Sequence, residues 1–418
     1  VKPLERVSAA DLPAVTTALR AALDGGPAVW PVATSETTHP AERASDRDGT
    51  AGAGAGARPP GGRGEAGASA LVEDGVALVV ETSGSTDAPK RVLLSADALR
   101  ASAEATAERL GGHGRWLLAL PAHYVAGAQV LVRSIVAGTE PVVLVGERFD
   151  PDAFVEATSR LMRTRDAMPR YTSLVPVQLA RLVEASNDDP AHPAAQALRA
   201  YTAILIGGQA LPESSRRSAE ALGARIVRTY GSSETAGGCV YDGRPLSGVR
   251  LRVAADGIVE LGGPTLADGY LGDTERTSAA FRRDDDGTRW YRTGDLGELT
   301  GEGVLRIRGR VDDVIISGGV KVALGEIERA VRALPGLADA VVVPIADPEW
   351  GQRAAVVVAG ASASSTLLGQ TTDAAGLPPA ARPVLVVEID ELPLLASGKP
   401  DRRRLAELAE MRRTGSVG

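Results

Sequence analysis

From Val72 onward the chain alternates short apolar runs with longer segments of helical length. Residues 75–81, Gly-Val-Ala-Leu-Val-Val-Glu, read as a strand, as do 116–120, 142–145, 171–175, 203–206 and 225–229. Between these lie five segments, 96–110, 126–136, 153–161, 177–184 and 213–222, that read as helices. Gly111-Gly112 supplies a helix stop. Strand–helix alternation predicts a parallel or mixed α/β sheet. An amphipathic helix is expected earlier, over 12–23.

The pattern changes near Val240. Shorter strands separated by turns follow, at 250–253, 257–261 and 304–308, and suggest a small β-subdomain. After Arg310-Val-Asp-Asp313 comes a compact unit: an apolar strand, a helix over 324–334, and strands at 338–344, 354–359 and 384–389. The fold class expected is therefore α/β. A large N-terminal domain, 1–311, combines α/β sheets with the β-subdomain, and a small mobile α+β domain, 312–418, begins at Asp312. Residues 34–69 break the pattern with Ala51-Gly-Ala-Gly-Ala-Gly-Ala57 and Arg58-Pro-Pro-Gly-Gly-Arg-Gly64. Such a stretch buries too little apolar surface to offset its ordering entropy, and a mobile surface insertion is expected there. No internal repeat is visible.

Composition narrows the function class. The 418 residues are 44% apolar and 24% charged, ordinary for a soluble globular protein of two or three domains. A net charge of −7 argues against a nucleic-acid partner. The single cysteine, Cys239, allows no intrachain disulfide and fits a cytoplasmic setting. No apolar run approaches the length of a membrane span, and the first residues lack a signal-peptide core.

Six segments carry candidate chemistry. Thr82-Ser-Gly-Ser-Thr-Asp-Ala-Pro-Lys90 follows a strand and gathers hydroxyls, backbone N–H groups and one ammonium in a short turn. That set suits an oligophosphate, although no Gly-Lys-Ser/Thr closes it as a Walker A loop would. Read alone, it equally fits a polar surface turn. Tyr230-Gly-Ser-Ser-Glu-Thr235 also follows a strand, where ligands bind in open α/β sheets. Glu234 suits Mg²⁺ and Tyr230 suits a base, while a capped polar turn is the plain alternative. Ile206-Gly-Gly-Gln209 would place a second loop on the same sheet edge. Tyr291-Arg-Thr-Gly-Asp-Leu-Gly297 sets Asp295 in a glycine-flanked turn, fit for ribose hydroxyls or for an ordinary hairpin. Arg306–Asp313 is a charge run, and Leu395-Ala-Ser-Gly-Lys-Pro-Asp-Arg402 holds Lys399 on a shaped turn.

The order and spacing of these segments resemble the ANL superfamily of adenylate-forming enzymes, across about residues 72–405. The resemblance implies ATP and Mg²⁺, with coenzyme A as co-substrate. Thr82, Ser83, Gly84, Ser85, Thr86 and Lys90 would cradle the β- and γ-phosphates. Gly208, Gln209, Tyr230 and Gly231 would form the adenine slot. Ser233 and Glu234 would face the α-phosphate and its Mg²⁺, with Ser232 also in the nucleotide site. Asp295 would bind the ribose, with Arg310 nearby. Asp312 would be the hinge about which the small domain turns. Lys399 and Glu234 would be catalytic, and Gly318 and Gly319 would shape the coenzyme A channel. Asp87 departs from the family's usual glycine, and Ser233 stands where threonine is common.

Leu120-Pro-Ala-His-Tyr-Val-Ala-Gly127, followed by Gln129-Val-Leu-Val-Arg-Ser134, resembles the acyl-pocket segment of one branch, the o-succinylbenzoate–CoA ligases of menaquinone biosynthesis. The resemblance makes His123, Tyr124 and Arg133 the substrate-binding candidates and an aromatic dicarboxylic acid the substrate. The histidine of the aromatic–histidine pair stands one place early here, which leaves open which residue gates the pocket. Arg133 is the only charge in 125–138, and a buried guanidinium needs a partner such as a second carboxylate. A snorkelling surface arginine is the alternative. Three rival readings remain at this level. They are another acyl- or aryl-CoA ligase, an enzyme charging a carrier protein, and a silent nucleotide-binding protein. Small molecules are the expected partners, with a homodimer left open.

Overall fold

The computed structural model describes residues 1–33, 70–82, 89–146, 148–395 and 399–415. The expected insertion at 34–69 and the phosphate-loop residues Ser83, Gly84, Ser85, Thr86 and Asp87 lie outside the described residues.

Four sheets organise the chain. The first has six strands, in the order Gly269–Tyr270, Lys90–Ser95, Val76–Thr82, Ala28–Val32, Lys2–Ser8 and Leu71–Val72. The register sets Thr82 opposite Lys90 at one end of an antiparallel pair. The second has seven strands, with a parallel run from Val142–Val143 through Arg115–Leu118, Arg170–Leu174 and Ala203–Ile206 to Ile226–Ser232. The antiparallel strand Gly237–Tyr241 then flanks Ile226–Ser232. Helices Ala96–Leu110 and Val125–Val136 share one apolar cluster with both sheets, through Leu78, Leu94, Leu99, Leu131 and Leu205. These side chains are buried on both faces, so the strands read as continuous apolar runs rather than as alternating ones.

Local chemistry sets the helix ends. The Ser95 hydroxyl accepts from Ala98 N–H at 3.2 Å, and Gly111 closes the same helix in the left-handed region at φ 89°. The β-subdomain is antiparallel, with Arg289–Leu299 central between Ile258–Gly262, Phe281–Arg283 and Leu305–Arg310. The last sheet takes Val314–Ser317, Val320–Ala323, Val341–Asp347, Gly351–Ala359 and Leu385–Ile389. Helices Leu324–Arg332, Ser365–Ala374 and Arg402–Arg413 cover it, and its apolar clusters draw only on residues from Ile315 to Ala409.

Two local expectations are corrected. Asp295 does not sit in a tight hairpin turn; it lies within the eleven-residue strand Arg289–Leu299, which Gly294 kinks at φ 77°. The strand expected to stop at Thr229 runs on to Ser232 before a 3₁₀ turn, Ser233–Thr235. Pairing with Gly237–Tyr241 supplies the partners that carry it past the glycine.

Candidate active site

The site forms where the C-terminal ends of the parallel strands meet the β-subdomain and the loop of Lys399. Gly231 fixes the floor. A methyl group there would collide with the Gly237 carbonyl, so only glycine lets the two strands close. Gly208 follows the neighbouring strand at φ 82°, and Lys399 Cε lies 3.9 Å from where a Gly208 side chain would begin. A residue of the C-terminal part thus rests on the glycine turn of the large sheet.

Tyr230, at the end of its strand, donates from its hydroxyl to Asp295 Oδ2 at 2.7 Å. Arg310, opposite Asp295 in the register, donates to Oδ1 at 3.1 Å. Its other terminal nitrogen donates to Asp312 Oδ2, also at 3.1 Å. Burial pushes the Asp295 carboxyl above its ordinary value, while the Tyr230 hydrogen bond and Arg310 pull the other way. Burial and the Asp295 charge push the Tyr230 phenol far up, so it stays a donor.

Glu234 is buried at 6% exposure. Its Oε1 accepts from the Tyr270 hydroxyl at 2.9 Å, and the Lys90 ammonium lies 5.8 Å from the centre of the Tyr270 ring. Lys399 keeps exposed surface as a residue, but protein encloses its ammonium end. That enclosure, helped by Arg310, pushes the ammonium below its ordinary value, while Asp295 and Glu234 oppose the shift. Three charged groups of the large part, Arg310, Asp295 and Glu234, thus act electrostatically on one lysine of the small part. The backbone clamps that lysine's turn: Leu395 N–H donates to the Lys399 carbonyl at 2.7 Å.

Behind the site strand, Gln129 donates to the Ala236 carbonyl at 2.8 Å, and Ser102 donates to the same oxygen at 3.0 Å. Ala236 itself turns the chain in the left-handed region, at φ 50°. The His123 and Tyr124 rings lie tilted against each other at 47°, with centres 4.1 Å apart, just ahead of helix Val125–Val136. Arg133 lies two turns further along that helix and is only 6% exposed, which excludes a snorkelling surface arginine. Its guanidinium sits 4.9 Å over the Trp116 ring and reaches the Tyr241 hydroxyl at 3.5 Å. Its Nε has no hydrogen-bond partner among the described residues. Gly318 and Gly319 form the hairpin turn between Val314–Ser317 and Val320–Ala323, at φ 57° and 80°.

The structure thus brings Tyr230, Asp295, Arg310, Glu234 and Lys399 into one neighbourhood. Gly318 and Gly319 belong to a separate hairpin of the last sheet. Sequence reasoning missed Tyr270, Gln129 and Ser102. A glutamine within a mostly apolar helix was the one visible signal for them. Among the described residues no group of three or more His, Cys, Asp or Glu side chains could by itself hold a metal. A single buried carboxylate fits Mg²⁺, which takes few protein ligands and completes its shell with phosphates and water. Burial pushes the Cys239 thiol up to about 12, so it is no nucleophile.

Comparison with known proteins places this geometry. The family model described as AMP-binding enzyme matches residues 8–271, more than half of the chain. The chain belongs to the AMP-binding enzyme family. The C-terminal domain model of the same AMP-binding enzymes matches residues 326–399 and so ends on Lys399. A probable 2-succinylbenzoate–CoA ligase of Mycobacterium tuberculosis is 44% identical over 345 residues, covering 80% of this chain and 85% of the relative. The o-succinylbenzoate CoA synthetase of Bacillus subtilis, solved with its acyl-adenylate intermediate, matches with a TM-score of 0.66 at 27% identity. That match covers 79% of this chain and 69% of the synthetase. The same synthetase solved with ATP and magnesium ion also matches with a TM-score of 0.66 at 27% identity, covering 82% and 73%. These AMP-binding enzymes share the mixed α/β architecture found here. No helix of this chain, among the described residues, is long and apolar enough to cross a membrane.

Proposed function

We propose that this AMP-binding enzyme activates 2-succinylbenzoate to its acyl-adenylate and then joins the acyl group to coenzyme A, releasing AMP and pyrophosphate. It is an acid–thiol ligase, and its product would serve menaquinone biosynthesis. The observation that carries the adenylation step is the seat of Lys399 on Gly208, beside Glu234, Asp295 and Arg310. The name of the 44%-identical relative supports the choice of acid.

In this reading Tyr230 offers its ring to the adenine while its hydroxyl holds Asp295 toward the ribose. Thr82, Ser83, Gly84, Ser85, Thr86 and Lys90 receive the β- and γ-phosphates. Glu234, oriented by Tyr270, holds Mg²⁺, which would neutralise charge on the phosphates. Lys399 faces the α-phosphate and the attacking carboxylate. It stabilises spreading negative charge by position rather than by proton transfer. His123 and Tyr124 border the acid, and Arg133 sets a positive charge deeper along the same helix. Asp312 is the hinge, and Gly318 and Gly319 then shape the coenzyme A channel. A cytoplasmic setting accords with the single, buried Cys239.

The test is pyrophosphate release over a panel of aliphatic, aryl and dicarboxylic acids, followed by mass analysis of the coenzyme A product. 2-Succinylbenzoate should give the highest kcat/KM. A monocarboxylic acid that outpaces it would overturn the choice of substrate. Adenylate formed without any thioester would overturn the second step.

A further inference from the structure

Helix Arg402–Arg413 begins three residues after Lys399, and its hold on the fold is thin. Only Leu405 and Ala409 of its twelve residues are buried. Most of its surface is charged, so apolar packing alone defines its position loosely. Polar ties add to that packing: near the far end Ala346 N–H donates to the Glu410 carboxylate, and at the near end Arg402 fixes the helix start. Arg402 Nη2 donates to Glu328 Oε2 at 2.7 Å, and Arg402 Nη1 donates to the Val342 carbonyl at 2.9 Å. Glu328, on helix Leu324–Arg332, is 7% exposed. Its carboxylate also accepts from Val342 N–H at 3.1 Å and pairs with Arg332 at 2.9 Å. One carboxylate thus ties two helices to the strand Val341–Asp347.

The same anchor governs the catalytic turn. Asp401 N–H donates to the Pro393 carbonyl at 2.9 Å, and the Asp401 carboxylate caps the helix through Arg404 N–H at 3.0 Å. The segment from Lys399 to Arg402 is therefore short and bonded at both ends. Any tilt of the helix start is passed directly to the lysine.

We propose that the Arg402–Glu328 pair is a positioning device that fixes Lys399 for the first half-reaction. This rests on the reading that Lys399 serves adenylation. Arg402 touches no substrate; it acts through the lysine. The arrangement also predicts which variant is safe to make. With Arg402 removed, Glu328 keeps Arg332 and the Val342 N–H, so no buried charge is stranded.

The experiment measures ATP–pyrophosphate exchange with 2-succinylbenzoate on the full chain for Arg402→Ala, Lys399→Ala and the double variant. Thioester formation from supplied acyl-adenylate is measured alongside. A misplacement of about an ångström costs up to roughly 100-fold in rate, so Arg402→Ala should lower exchange about 10- to 100-fold, in kcat rather than in KM for ATP. Thioester formation should stay near wild type. In the Lys399→Ala background, Arg402→Ala should cost nothing further, since it acts only through the lysine. Arg402→Lys, which reaches Glu328 or the Val342 carbonyl but not both, should fall between and covers the case in which the alanine variant fails to fold. Multiplying losses in the double variant, or equal losses in both half-reactions, would overturn the proposal. So would exchange at the wild-type rate in Arg402→Ala. Exchange at full rate in Lys399→Ala alone would instead overturn the assignment of the lysine, and the positioning role with it.

Discussion

The hydroxyl of Tyr230 and the carboxylate of Asp295 meet at 2.7 Å although they come from different sheets. Tyr230 lies near the end of the strand Ile226–Ser232 in the large mixed sheet, and Asp295 sits mid-strand in the antiparallel subdomain. One hydrogen bond thus joins the base-facing and ribose-facing halves of the proposed nucleotide pocket. It also favours the ionised form of a carboxylate that burial disfavours.

Tyr230→Phe should keep the ring and lose that bond. A hydrogen bond to a charged group is worth about 1.5–3 kcal/mol, so kcat/KM for ATP should fall at least about tenfold. The pH profile gives a second check. Burial raises the Asp295 value above the ordinary 3.8, so the carboxylate protonates at higher pH than a free aspartate would. Asp295 must be ionised to accept ribose hydroxyls, so the acid limb of kcat/KM for ATP should lie above that value. Losing the Tyr230 bond should move the limb further up. The same sign means that Asp295 costs stability as pH rises through its folded value. A variant whose acid limb does not move would show that Asp295 does not control nucleotide binding.

Lys399→Ala should lose adenylation by about 10²- to 10³-fold, the usual effect of removing one preorganised charge donor. Supplied acyl-adenylate should still be converted. Enclosure lowers the lysine below its ordinary 10.5, so the charged form is lost at a lower pH than for a solvated lysine. The alkaline limb of kcat/KM for the first half-reaction should therefore fall below that value. Single-turnover measurements of the two half-reactions check both points, and equal loss in both would contradict the assignment.

Arg133→Ala should weaken the acid more than ATP. Removing one partner of a buried charge pair costs roughly 2–5 kcal/mol. An analogue lacking the carboxylate that is not activated should bind wild type weakly and lose little more in the variant. Additive losses would mean that Arg133 serves only the Trp116 and Tyr241 packing seen here.

Gly231→Ala should push the site strand away from Gly237, since the new methyl group meets a backbone carbonyl that cannot yield. Melting temperature and ATP affinity should both drop. Gly272→Ala, at a glycine whose side-chain position is open, should leave ATP affinity unchanged and show only local strain from its φ of 71°. Equal ATP affinities for the two variants would count against the close approach.

Much of this was legible from residue order. The parallel strand Ala203–Ile206 was visible because both its faces are buried and apolar. Gly111 was visible as a helix stop because a positive φ favours glycine. The short strands Lys2–Ser8 and Ala28–Val32 were not found: Lys2–Ser8 alternates only over its first four residues, and the five residues of Ala28–Val32, all buried, are too few to show a period. Helix Arg402–Arg413 escaped because its two buried residues make no stripe. At the site, Tyr230, Glu234 and Asp295 stood out by type and flanking glycines. Tyr270 did not, since a tyrosine between Gly269 and Leu271 announces nothing until Glu234 is folded against it.

Arg310 holds Asp295 with one terminal nitrogen and Asp312 with the other. A single guanidinium thus serves both the ribose carboxylate and the proposed hinge. Whatever draws Asp295 toward a ligand alters the claim Asp312 has on the same cation, and the reverse holds equally, because such coupling is reciprocal. Nucleotide occupancy and the freedom of the joint are therefore not separately adjustable traits. A lineage that loosened one at Arg310 would have retuned the other in the same step.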